Sequence, residues 1–141
     1  MDNKINLVLG FDFGMKYIGI ATGQTMTKTA SPLTSISATD GIPDWNDIAK
    51  LIEAWKPNIL VVGLPLNMDG TPQLLSHRAT KFANRLKDKF KLPVHLVDER
   101  LSTWEAKQRL ETKTQKLSSK ELLQINAEAA AILVEQWLNN N

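Results

Sequence analysis

Apolar and polar positions follow two different periods along this chain. Residues 5–13, "INLVLGFDF", read as a strand that Gly14 interrupts. Residues 17–23, "YIGIATG", resume it after a short loop, which is a hairpin signal. A third, more polar strand is expected around 29–36, "TASPLTSI", and "SATDGIP" carries turn chemistry. The period then changes. Asp44 is placed to cap a helix whose apolar stripe is Ile48, Leu51, Ile52 and Trp55, and Pro57 ends it.

"NILVVGLP", at 58–65, is a short unbroken apolar run, expected as a strand buried on both faces. "LNMDGTPQ" reads as a loop. From Leu75 the apolar positions 75, 79, 82, 83, 86 and 90 fall at helical spacing, with Arg78, Lys81, Arg85, Lys87 and Lys89 on the other face. "LPVHLVDER", at 92–100, predicts a last strand that ends in charges. "STWE" at 102–105 and "SSKE" at 118–121 are capping boxes, and the second opens a final helix over 119–138.

The order is three strands, then helix, strand, helix, strand, helix, helix. An antiparallel opening followed by βα crossovers predicts an α/β fold, with one mixed sheet flanked by helices. The 141 residues suit a single domain, 1–141, with no repeat or linker.

Composition narrows the chemistry. The chain has 43% hydrophobic and 23% charged residues, ordinary for a globular protein, and no apolar run of membrane-spanning length. The first ten residues lack a signal-like layout and are read as structure. Cysteine is absent, which removes disulfides, thiolate zinc sites and a cysteine nucleophile. A net charge of +2 permits a polyanionic partner without demanding one.

Carboxylates carry the first sign of function. Asp12 stands where the first strand ends, and Asp98 and Glu99 stand where the last one ends. In open α/β sheets, ligands gather outside the carboxyl ends of strands. Acids that converge there repel unless a cation compensates, and hard divalent cations take oxygen ligands. A carboxylate-held metal suits phosphodiester hydrolysis. Gly10 and Gly14, on either side of Asp12, are expected to leave room for a phosphate backbone to approach. The plain alternative, turn and loop acids in solvent, stands beside this for each position taken singly.

The final helix adds a polar group to its apolar stripe. Asn126 lies four residues after Leu122 and three before Ala129, so it falls on the buried side. It is either a core asparagine bonded to backbone or a side chain aimed at the sheet edge that holds Asp12.

"GFDFGMKYIGIATGQ", "PDWNDIAKLIEAWKP", "NILVVGLPLNMDGTPQ", "RATKFANRLKDKF" and "VHLVDERLSTWEA" together resemble the YqgF/RuvX family over nearly the whole chain. That family comprises bacterial pre-16S rRNA nucleases, also described as Holliday junction resolvase-like, with an RNase H-like fold. The resemblance implies a cytoplasmic, Mg²⁺- or Mn²⁺-dependent nuclease acting in maturation of the 5′ end of 16S rRNA. Asp12 matches the first-strand aspartate, and Glu99, with Asp98 beside it, matches the "DER" acid. These imply Asp12 and Glu99 as metal ligands. Where an aspartate is expected in the last helix, this chain has Asn126 within "NAEAA". Asparagine offers one neutral oxygen and cannot act as a base. In the wider RNase H group the second acid sits on the strand beside the first. Here that strand, "NILVVGLP", has no acid, and Glu99 is expected one strand further out.

Lys16, in the hairpin loop, is placed to neutralise a phosphate or simply to be solvated. Arg78, Lys81 and Arg85 suit sequence-independent phosphate contacts, and Arg100 suits either substrate or a carboxylate. His77 and His95 fit no ligand spacing, and the four tryptophans are expected in the core. The implied partner is structured RNA, pre-16S rRNA first, with branched DNA as the alternative. Two other readings compete. One is a nucleotide-binding module like one lobe of the actin-like ATPases. The other is a catalytically weak assembly factor, which Asn126 keeps open.

Overall fold

Leu7–Asp12 forms β1 and Tyr17–Gln24 forms β2, antiparallel, with Leu7 opposite Gln24 and Asp12 opposite Gly19. The structure, a computed structural model, describes residues 6–65, 69–98 and 119–140. The third strand, β3, spans Thr29–Thr39 and pairs antiparallel with β2, with an irregularity between Ile20 and Ala21. It is longer than the sequence pattern implied. It also continues through a turn at Asp40 and Gly41, both at positive φ, into the two-residue strand β4, Ile42–Pro43.

Helix α1, Trp45–Trp55, starts as the sequence predicts. Asp44 is its N-cap, accepting from the Asn46 amide at 2.9 Å. Lys56, in the left-handed region at φ 49°, closes it through its amide to the Ile52 carbonyl. Asn58 then ties the next strand to β1: its amide donates to the Leu7 carbonyl at 2.8 Å, and its Oδ1 accepts from the Leu7 amide at 2.9 Å. That strand, β5 at Ile59–Leu64, lies parallel to β1 with Leu60, Val61 and Val62 wholly buried. Helix α2 spans Leu74–Phe90, β6 spans Val94–Asp98 parallel to β5, and helix α3 spans Ser119–Asn139. The sheet order is β4-β3-β2-β1-β5-β6. The antiparallel opening and the parallel βα units are thus both present. The "STWE" box lies outside the described residues.

Strand alternation sorts the core into two layers. On one face Leu9, Phe11, Ile18, Ile20, Leu60 and Val62 pack with Ile48 of α1 and Ala79, Phe82 and Leu86 of α2. On the other face Val8, Ala21, Val61 and Val97 pack with Ala130, Leu133, Val134 and Leu138 of α3. Burying each large apolar side chain contributes about 1.5–3 kcal/mol, so both layers are substantial. Among the described residues no helix is long and apolar enough to cross a membrane.

Two expectations need correction. Trp55, the last residue of α1, is 41% exposed rather than in the core, and Trp104 lies outside the described residues. Gly10 and Gly14 do not open space for a phosphate backbone. Instead, a Cβ on Gly10 would collide with Val134 of α3, and one on Gly14 with the Tyr17 carbonyl. The missing side chains admit a helix and a tight loop.

Candidate active site and nucleic-acid interface

Asp12 ends β1 on the face that carries α3, because Val8 belongs to the α3-side core and Gly10 lies under Val134. It is half-buried. Across the ladder its partner is Gly19, and the space a Gly19 Cβ would take holds the backbone carbonyl of Asn126. The chain therefore brings Asp12 and the first turns of α3 together at one end of the sheet. Asn126 is half-buried and lies one turn before Ala130, on the sheet-facing side of the helix, as the spacing predicts.

Asp98 shares that edge but not that face. Val97 belongs to the α3-side core, and the His95 ring lies 5.4 Å from that of Trp137 on α3. Alternation carries Val94, Leu96 and Asp98 to the α2 face instead. Asp98 pairs with Leu64 of β5, so one acid-free strand separates it from β1, as expected. Glu99 and Arg100 lie outside the described residues. Among the described residues no three His, Cys, Asp or Glu side chains cluster as a metal cage. Asp12 and Asn126 offer hard oxygen donors, one charged and one neutral, which suit Mg²⁺ or Mn²⁺ in kind.

The loop beside Asp12 is held in place. The Ala38 amide donates to the Lys16 carbonyl at 2.8 Å, and the Gly41 amide to the Met15 carbonyl at 2.9 Å. The Lys16 backbone is thus fixed while its residue stays exposed at the edge.

Helix α2 is anchored to the same edge. Ser76, 3% exposed, donates its hydroxyl to the Pro65 carbonyl and accepts from the Gln73 amide at 2.9 Å. This fixes where the basic side of α2 begins. Arg78, Lys81 and Arg85, with His77, form one wall of a groove of about 350 Å³. The other wall is the turn Asp40, Gly41 and Ile42, and the floor is Phe13, Trp45 and Phe82. Arg78 reaches over, its Nη1 lying 3.4 Å from the Asp40 carbonyl and 4.0 Å from Met15 Sδ. Lys89 does not line the groove but lies over the ring of Trp45, its Nζ 5.1 Å from the centroid. Sequence reasoning found the cations of this groove but missed Phe13, Ile42 and Trp45. Its one advance signal was the "DG" turn that lifts Ile42 to the opposite lip.

Comparison with known proteins identifies the family and the fold. Residues 6–140 match the RuvX family, described as Holliday junction resolvase. A protein of Shewanella oneidensis is 53% identical over 135 residues, 95% of this chain and 94% of that one. Another, of Pseudomonas putida, is 50% identical over 137 residues, 97% of each. Both carry the name "putative pre-16S rRNA nuclease". Among solved structures, fowlpox virus resolvase with Holliday junction DNA aligns with TM-score 0.56 at 13% identity, over 95% of this chain and 97% of that one. Thermus thermophilus RuvC aligns with TM-score 0.51 at 12% identity, over 95% of both chains. At such identities the structures speak to the fold, which they share in its sheet and flanking helices. The family match spans every element described above, and the chain belongs to the RuvX family.

Proposed function

We propose that this chain is a metal-dependent endonuclease that cuts structured RNA during maturation of the 5′ end of 16S rRNA. The observation that carries the reading is the position of Asp12. It ends a central strand, half-buried, against the turn of α3 that holds Asn126. Relatives at about half identity over nearly the whole chain bear the corresponding name.

Asp12 and Glu99 are the proposed ligands of Mg²⁺ or Mn²⁺, and the cation supplies charge neutralisation and water activation at the scissile phosphate. Glu99 is preferred to Asp98, because Val97 packs on the α3 side and Asp98 follows it on the other. Asn126 adds a neutral oxygen to the set. Lys16, exposed on a braced loop, pairs with a phosphate oxygen and holds the strand at the edge. Arg78, Lys81 and Arg85 bind phosphates away from the reacting atoms, and Arg100 is proposed to join them.

Asn126 favours a second reading, a nucleic-acid-binding assembly factor with weak catalysis, because it puts a neutral group where a charge would strengthen the site. The deciding experiment is cleavage of a 5′-extended 16S rRNA precursor fragment with Mg²⁺ or Mn²⁺, wild type beside Asp12→Asn. Cleavage by wild type alone is expected. Equal cleavage by both overturns the site, and binding without cleavage by either supports the second reading.

A further inference from the structure

Asp12 and Phe13 are consecutive in the chain yet serve opposite faces of the sheet. Asp12 faces the α3 side, while Phe13 belongs to the α2-side core and floors the basic groove. A ligand that occupies the groove and also reaches Asp12 must therefore turn over the end of β1. We infer that the groove seats a single-stranded segment of the nucleic acid, which crosses this edge to bring its scissile phosphate to Asp12. The inference rests on the nuclease reading above and adds the form of the substrate and its path.

Three features support it. The walls carry Arg78, Lys81 and Arg85 against one acid, Asp40, which favours a polyanion. The volume of about 350 Å³ suits a unit the size of one nucleotide. Ile42, 52% exposed on the lip, gives a base an apolar surface to pack on. The Trp45 ring is less available, being stacked on Phe82 at 5.6 Å and approached by Lys89. The path over the edge selects the form of the strand. Duplex DNA is stiff over roughly 150 base pairs and cannot fold over the end of one sheet, whereas a single strand can.

The test uses the full chain with Asp12→Asn, so that substrate stays intact. Binding is measured by fluorescence anisotropy to an RNA duplex that is either blunt or carries a single-stranded flank of about six nucleotides. The flank is expected to tighten binding about tenfold and to steepen the salt dependence by about 0.7 in log–log slope per phosphate engaged. Adding Arg78→Ala and Arg85→Ala removes both gains relative to the blunt duplex. Ile42→Asp, at an exposed site, removes them too. An equal gain in these variants, or no gain from the flank, overturns the single-strand seat. Failure to bind either RNA overturns the nuclease reading along with it.

Discussion

Gly19 of β2 lies under the backbone carbonyl of Asn126 and beside Asp12 of β1. The absence of one side chain thus sets how closely the helix approaches the acid. A backbone carbonyl cannot rotate out of the way as a side chain can. Gly19→Ala is expected to push α3 off the sheet, costing about 3 kcal/mol or more in urea denaturation and lowering cleavage with it. Full stability in this variant would contradict the close approach.

Gly10 makes the contrasting case. Its added Cβ would meet the side chain of Val134 rather than backbone. Gly10→Ala is expected to cost about 1–2 kcal/mol, and Val134→Ala in the same chain to recover much of it. A double-mutant cycle by chemical denaturation reads the coupling. No comparable rescue by Val134→Ala is expected for Gly19→Ala, which makes the pair a test of which atom each glycine accommodates.

Asn126→Asp would add a carboxylate to the turn of α3 that lies over Gly19, the ladder partner of Asp12. Without metal the two acids repel, so the variant is expected to melt at a lower temperature than wild type in a chelator. With Mg²⁺ the order should reverse, with roughly tenfold tighter metal binding by titration calorimetry and faster cleavage. A variant indifferent to Mg²⁺ would separate Asn126 from the metal site.

Asp98 and Glu99 adjoin in sequence but are expected to respond unequally. Glu99→Gln should lower cleavage by about 10²-fold or more, as loss of several kcal/mol of transition-state stabilisation requires. Asp98→Asn, on the α2 face, should change it by no more than a few-fold. Single-turnover kinetics with saturating Mg²⁺ distinguishes the two, and the reverse ranking would reassign the ligand.

Local pattern made much of this legible. The hairpin, the Asp44 cap, the buried strand 59–64, the basic side of α2 and the place of Asn126 on its helix all follow from nearest neighbours in sequence. What local pattern could not carry depends on distant partners. Gly10 looks like a residue that makes room for substrate until a helix more than a hundred residues later is laid over it, and Gly19 gives no local sign of that helix at all. Alternation alone leaves both Asp98 and Glu99 open as ligands because the strand's apolar residues, Val94, Leu96 and Val97, fall on both of its faces; His95 against Trp137 and Val97 in the α3-side core set its facing. The groove gathers residues 13, 42, 45 and 78 from three separate stretches of the chain, and no window of sequence contains that arrangement.

The turn at Asp40 and Gly41 has reach beyond its own strand. Gly41 sits at φ 81°, a Cβ there would stand 2.8 Å from the Phe13 ring, and its amide holds the Met15 carbonyl. It acts as a keystone: Phe13 and Met15 straddle Gly14 just beyond Asp12, so the turn sets the loop that leaves the acid. A lengthened or stiffened turn is expected to shift the aim of Asp12 without touching it, so loss of the proposed activity with an intact core can originate there, well along the chain from the acid itself.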